Sequence, residues 1–237
     1  MLRRLGARPR SAEFGGVPGR RRVMLAGMST APPSTPIPGP PSDRTKVRRL
    51  PDRGRYDADT VHAILDEGLV AHVGFVAEHG PVVLPMAYGR IDDRLYLHGA
   101  TGNAMLRALD GGAVCVTVTL LDGLVLSRSA FHHSMNYRSV VVLGTAATVT
   151  DPAERDDALR AVVEQMVAGR SAECRPPSPE ELRATRVVRV ALAEASAKVR
   201  TGPPKEDDAD LDPPVWWGGV IPVSLVRGDP VPDPYVT

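Results

Sequence analysis

The chain has 237 residues, 43% of them hydrophobic and 24% charged, with a net charge of +1. No apolar run reaches the roughly 18 residues of a membrane span, and the two cysteines, Cys115 and Cys174, offer neither a disulfide framework nor a zinc spacing. Residues 1–50 hold eleven Lys and Arg against Glu13 and Asp43, a balance of +9 that leaves −8 on the remainder, an acidic body without the basic footprint of a nucleic-acid binder.

Residues 1–45, basic and then Pro-rich from Pro32 to Pro41, read as a structureless tail with too little apolar surface to offset the entropy of ordering. Met24 or Met28 is an alternative start. From Lys46 a single domain is expected to run to residue 237, in a reducing cytoplasm. Asp59 is expected to cap a helix through Glu67, with Val61, Ile64 and Leu65 on one face and Gly68 ending it. Three strand-like runs follow, Val70 to Ala77, Pro81 to Tyr88 and Arg94 to His98, joined by hairpin-sized connections at Glu78-His79-Gly80 and Asp92-Asp93. A short helix is expected over Asn103 to Leu109. Val114 to Leu121, Leu124 to Ser129 and Ser139 to Val149 are again strand-like. Asp151, Pro152 and Glu154 open a clear helix with Leu159, Val162, Val163 and Met166 on its apolar face and Gly169 after its last turn. Ser178-Pro179-Glu180-Glu181 opens another, and Arg186 to Ala193 is expected as the last strand. Six or seven strands joined mainly by short turns, without βαβ crossovers, predict a mainly β (α+β) fold built as an antiparallel barrel.

Nucleotide P-loops, GxGxxG turns, GxSxG elbows and HExxH helices are all missing from the sequence. His132 and His133 would point to opposite faces of a strand, a poor metal pair, so no metal site is expected. What remains is a density of small and polar residues. His98-Gly99-Ala100-Thr101-Gly102-Asn103 ends a strand and opens a helix, where exposed backbone N–H groups favour an anion. Asn136-Tyr137-Arg138-Ser139 enters a long strand, Lys198 and Arg200 share a face of an extended segment, and Trp216-Trp217 precede Gly218-Gly219. Each of these, taken alone, also reads as an ordinary turn, loop, solvated face or packing contact.

The order "LPMAYGR…LYLHGA…GLVLSRSAFHHSMNYRSVVVLG…SAKVRTGPP…VWWGGVIP" resembles the pyridoxamine 5′-phosphate oxidase-like, flavin-nucleotide-binding family, including its nitroimidazole-resistance-like branch, over residues 46–234. The resemblance implies a split β-barrel homodimer with FMN at each side of the subunit interface, acting on a small-molecule substrate. Leu84, Pro85, Met86 and Tyr88 would line the isoalloxazine ring, and His98, Gly99 and Ala100 the ribityl chain and phosphate. Arg138 and Ser139 match a flavin-contacting strand, and Trp217 matches a Trp-x-Gly near the cofactor. Lys198 and Arg200 are candidates for a further anion contact. Where relatives often carry Ser-Arg for the phosphate, this chain has Asn103-Ala104, with Arg107 one turn on as a substitute cation. That departure leaves deazaflavin or haem as alternative cofactors, and a non-catalytic binding protein as the alternative to a flavoenzyme. The resemblance names no catalytic side chain; His98 is the residue to test first.

Overall fold

The computed structural model describes residues 38–213 and 215–235. Most of the expected tail, and the alternative starts at Met24 and Met28, lie outside the described residues. Residues 42–45 form a turn in which Thr45 is buried, and Arg44 ion-pairs with Glu194.

Among the described residues, eleven strands form two antiparallel sheets. The larger contains β1 (Gly54–Arg55), β2 (Ala71–Ala77), β3 (Gly80–Met86), β6 (Ala113–Leu126), β7 (Ser134–Thr145), β10 (Ala195–Arg200) and β11 (Gly219–Pro222), in the order β1-β10-β7-β6-β2-β3 with β11 alongside β6. The smaller has the order β4-β5-β9-β8, with β4 (Tyr88–Ile91), β5 (Arg94–Ala100), β8 (Ala147–Thr148) and β9 (Thr185–Ala191). Val73, Val116, Val118, Val140 and Val142 of the first sheet meet Leu95, Leu97, Val188 and Val190 of the second in one core. The expected α+β, antiparallel split barrel is the architecture found.

Helix α1 (Ala58–Glu67) closes one end of this core with Val61, Ile64 and Leu65, as its sequence spacing predicts. Its cap is Asp57 rather than Asp59: the Asp57 carboxylate accepts from Thr60 N at 2.8 Å. A carboxylate must precede the first turn to reach that N–H, and Asp59 already lies within the helix. The last-turn carbonyls of α1 have no partner in the helix and are met from outside. The Tyr88 hydroxyl contacts Leu65 O and, at 3.0 Å, Gly68 O. Gln165 Nε2 lies 2.9 Å from Leu65 O and 2.7 Å from Gly68 O.

Helix α2 (Ala104–Leu109) buries Met105, Leu106 and Leu109. Helix α3 (Pro152–Met166) covers the outer face of the smaller sheet, where Tyr96, Val149, Ala158 and Val187 form a second cluster. It packs close: a Cβ on Gly89 of β4 would stand 2.6 Å from Val162 N. The expected Asp-x-x-Glu box at its start is half formed. Asp151 accepts from Glu154 N at 3.0 Å, while the Glu154 carboxylate takes the Tyr96 hydroxyl at 2.9 Å and ion-pairs with Arg94 and Arg189. A strong cationic and phenolic environment across the sheet outcompetes the local N–H. The reciprocal box at Ser178 is complete and opens α4 (Pro179–Ala184).

Four strand expectations change, the first being Ser139 to Val149, which is β7 as far as Thr145 in the larger sheet and then β8 in the smaller. Pro81 to Tyr88 is two strands, because the chain leaves the larger sheet after Met86 and enters the smaller at Tyr88. Val114 to Leu121 and Leu124 to Ser129 merge into one strand that ends at Leu126, with an irregular register between Leu121 and Gly123. Arg186 to Ala193 is not the last strand, since β10 and β11 follow.

Candidate functional site

Strand β3 is an edge of the larger sheet. Leu84 shares a face of β3 with Val82 and Met86, which pack on the core, yet it is 41% exposed at this edge, which no strand among the described residues covers. Pro85 is exposed beside it. Tyr88 differs: it is buried at the head of β4, burial pushes its phenol pKa up, and its hydroxyl caps α1. Its side chain is a core element.

Strand β5 carries Leu95 and Leu97 toward the core and Tyr96 toward α3. His98 continues the Tyr96 side at the wall of a cavity of about 670 Å³ between β5, α3 and α4, bordered by Leu159, Val163, Met166, Leu182 and Thr185. That size lies within the roughly 300–1,000 Å³ of ligand and cofactor sites. His98 is half-buried, burial lowers its pKa, and Nδ1 is enclosed without a hydrogen-bond partner. A buried polar atom left orphaned in a native fold calls for a missing water or ligand. At one wall the Arg175 guanidinium grips Glu181 at 2.6 and 2.8 Å and holds that carboxyl at about 2.

Gly99 and Ala100 pair with Arg186 and Thr185 of β9, leading to Asn103. Asn103 Oδ1 accepts from Met105 N at 2.9 Å, so this side chain serves the helix cap. Arg107 is exposed and has no ion-pair partner among the described residues.

The remaining positions gather on β7 and β10. Ser139 pairs with Lys198, and its hydroxyl sits 3.4 Å from Lys198 O. Lys198 Nζ donates to Arg49 O at 3.0 Å. Arg138 is held by two carboxylates: Nε and Nη2 reach Asp122 at 3.0 and 2.8 Å, and Nη2 reaches Glu67 at 2.8 Å. Hydrogen bonding to this guanidinium lowers the Glu67 pKa and raises that of Arg138. Arg200 is 7% exposed and donates to Asn136 Oδ1 and to Pro203 O. Trp217, 65% exposed, lies over Gly219, where a Cβ would meet the indole at 2.8 Å.

One chain therefore does not unite the expected residues. Leu84 on β3 and Lys198 on β10 are separated by β2, β6 and β7, a path along the sheet of about 19 Å at about 4.8 Å per strand. His132 and His133 stand in a 3-10 turn, with His132 on Asp207 at 3.0 Å and His133 on Ser129 O at 3.1 Å. No metal-ligating cluster occurs among the described residues, and none of their helices is long and apolar enough to cross a membrane. The cavity residues on α3 and α4 escaped sequence reasoning, which saw only the apolar stripe of α3.

The profile of the family described as pyridoxamine 5′-phosphate oxidase matches residues 57–199. The chain belongs to this family. Within the oxidase-like fold it is similar to the flavocytochrome Anf3 from Azotobacter vinelandii, with 43% identity and a TM-score of 0.80 over 84% of this chain and 93% of that one. It is similar to an FAD and haem binding protein from Mycobacterium smegmatis, with 35% identity and a TM-score of 0.74 over 78% and 91%. A 5-nitroimidazole antibiotic resistance protein from Bacteroides thetaiotaomicron shares 25% identity and a TM-score of 0.51 over 62% and 86%. No curated protein matches the chain by sequence.

Proposed function

We propose that this oxidase-family chain is a flavin-dependent redox protein acting on a small molecule as a homodimer. The observation that carries the reading is the His98 cavity, whose enclosed Nδ1 has no partner. A flavin supplies hydride or single-electron transfer when bound. The chain's share is to bind, orient and exclude water: Leu84, Pro85 and Met86 offer an apolar lip, and His98 a desolvated, neutral imidazole that accepts or donates one hydrogen bond. Arg107, Ser139, Lys198 and Trp217 complete the expected contacts. FMN was the cofactor expected from the sequence; the smegmatis relative is named for FAD, which favours FAD as the bound form.

Two features support the homodimer. The expected contacts are spread over both sheets, with Leu84 and Lys198 four strands apart in the larger one, so a second copy would bring them around one ligand. Phe131, Met135, Trp216, Trp217 and Ile221 are also exposed around β11 and the β6–β7 connection, large apolar side chains of the kind that a partner surface covers. A second reading adds haem: the Azotobacter and smegmatis proteins are named as a flavocytochrome and for haem, and His98, with an unpartnered ring nitrogen, would be the residue to hold the iron.

The test is the visible spectrum of the purified full chain, before and after incubation with FMN, FAD and haemin. Flavin bands that bleach with reductant and return in air are expected, with elution at twice the chain mass. A Soret band lost in His98→Ala supports haem at this cavity. A colourless monomer that takes up none of the three refutes the proposal.

A further inference from the structure

A second pocket shares no lining residue with the His98 cavity. It has a volume of about 410 Å³ and lies where the turn before β1 meets the end of β10, lined by Arg53, Arg55, Arg200 and Lys205, with Asp52 as its one acid. Several arginines elsewhere are matched to carboxylates, as at Arg90–Asp66, Arg128–Glu206, Arg138–Glu67 and Arg189–Glu154. Here the match fails. Arg55 donates to the carbonyls of Asp52 and Gly54, at 2.8 and 2.7 Å, and Arg200 to Asn136, Gly202 and Pro203 oxygens. Arg53 and Lys205 have no ion-pair partner among the described residues. Neutral acceptors solvate a guanidinium without cancelling its charge, so the pocket keeps a net positive potential. Burial, and then repulsion from Arg53, depresses the Arg200 pKa, as expected for crowded cations with no counter-ion.

We propose that this pocket binds a phosphoryl group of a nucleotide or phosphorylated small molecule. Planar guanidiniums from two chain segments, with a flexible ammonium beside them, match the several oxygens of a phosphate. Arg200 is the fixed member, because β10 and the Gly202–Pro203 carbonyls hold it. Arg53 and Lys205 are the adaptable ones. Phosphate chemistry of this kind has two sources, the tail of the flavin nucleotide or a separate phosphorylated reactant. The pocket itself does not depend on which.

The experiment is calorimetric titration of the full chain with pyrophosphate at low salt, for wild type, Arg53→Gln/Lys205→Gln and the control Arg227→Gln. Saturable binding is expected, weakened about tenfold to a hundredfold in the double variant and unchanged in the control. Absence of binding to wild type, or equal affinity in the double variant, overturns the proposal, whatever the visible spectrum says about flavin. If pyrophosphate competes with FAD, and the preference for FAD over riboflavin falls in the double variant, the flavin tail is the source. If flavin-loaded protein still binds pyrophosphate with its flavin affinity untouched by the substitutions, a separate reactant is.

Discussion

Tyr88→Phe separates a core role from a cofactor role at one position. The ring stays buried in the variant and only the hydroxyl is lost, together with its contacts to Leu65 O and Gly68 O. Gln165 Nε2 already lies 2.9 and 2.7 Å from the same carbonyls, so neither is abandoned. The single substitution should cost about 1 kcal/mol, the net worth of one hydrogen bond. Gln165→Ala alone should cost a similar amount, since the tyrosine hydroxyl remains. Removing both leaves buried helix-end carbonyls without donors, and each orphaned group costs about 1–3 kcal/mol. The double variant should therefore exceed the sum of the singles by about 1 kcal/mol or more. Urea unfolding of the four proteins measures the coupling, and flavin titration of the same samples measures any effect on uptake. Additive losses would refute helix capping as the role of Tyr88. A Tyr88→Phe variant with unchanged stability and weakened flavin uptake would return the residue to the cofactor wall.

Gly89→Ala should destabilise by about 1–3 kcal/mol through overpacking, because the new methyl would meet the backbone of α3; an unchanged urea midpoint would refute that close approach. His98 is neutral when folded, with a pKa lowered by burial from 6.5, so the unfolded chain protonates first. Its contribution is whole above 6.5 and fades as pH falls through the folded pKa; His98→Asn should flatten the decline of the melting temperature on that acid side, and parallel profiles would contradict the burial. Trp217→Ala should weaken flavin binding, followed by fluorescence titration, with little change in melting temperature, since the indole is 65% exposed. Equal affinity would remove Trp217 from the site.

Local signals carried much of the fold. Gly68 after α1, Asp151-Pro152 before α3 and the Ser178 box before α4 act within a few residues and stand where the sequence puts them. Runs of β-branched residues marked β6 and β7, though not that β6 is one strand. Strand β10, Ala-Ser-Ala-Lys-Val-Arg, carries small and charged residues whose strand character comes from pairing with β7 and β1. Tyr88 read as the end of an apolar run because no local feature says that the chain changes sheets at Ala87.

By itself the sequence determined the element types, the antiparallel barrel and the family, because periodicity, caps and short turns act between near neighbours. Only the tertiary structure decided which charges are spent and which remain free. Arg138 and Arg53 look alike along the chain. The first is closed off by Glu67 and Asp122, brought in from a helix end and a neighbouring strand, and the second faces a pocket without a matching carboxylate. The His98 cavity is equally a product of packing, since its other walls come from segments more than fifty residues further along the chain. Electrostatic and steric neighbours in space decide such sites, and spacing in sequence does not encode them.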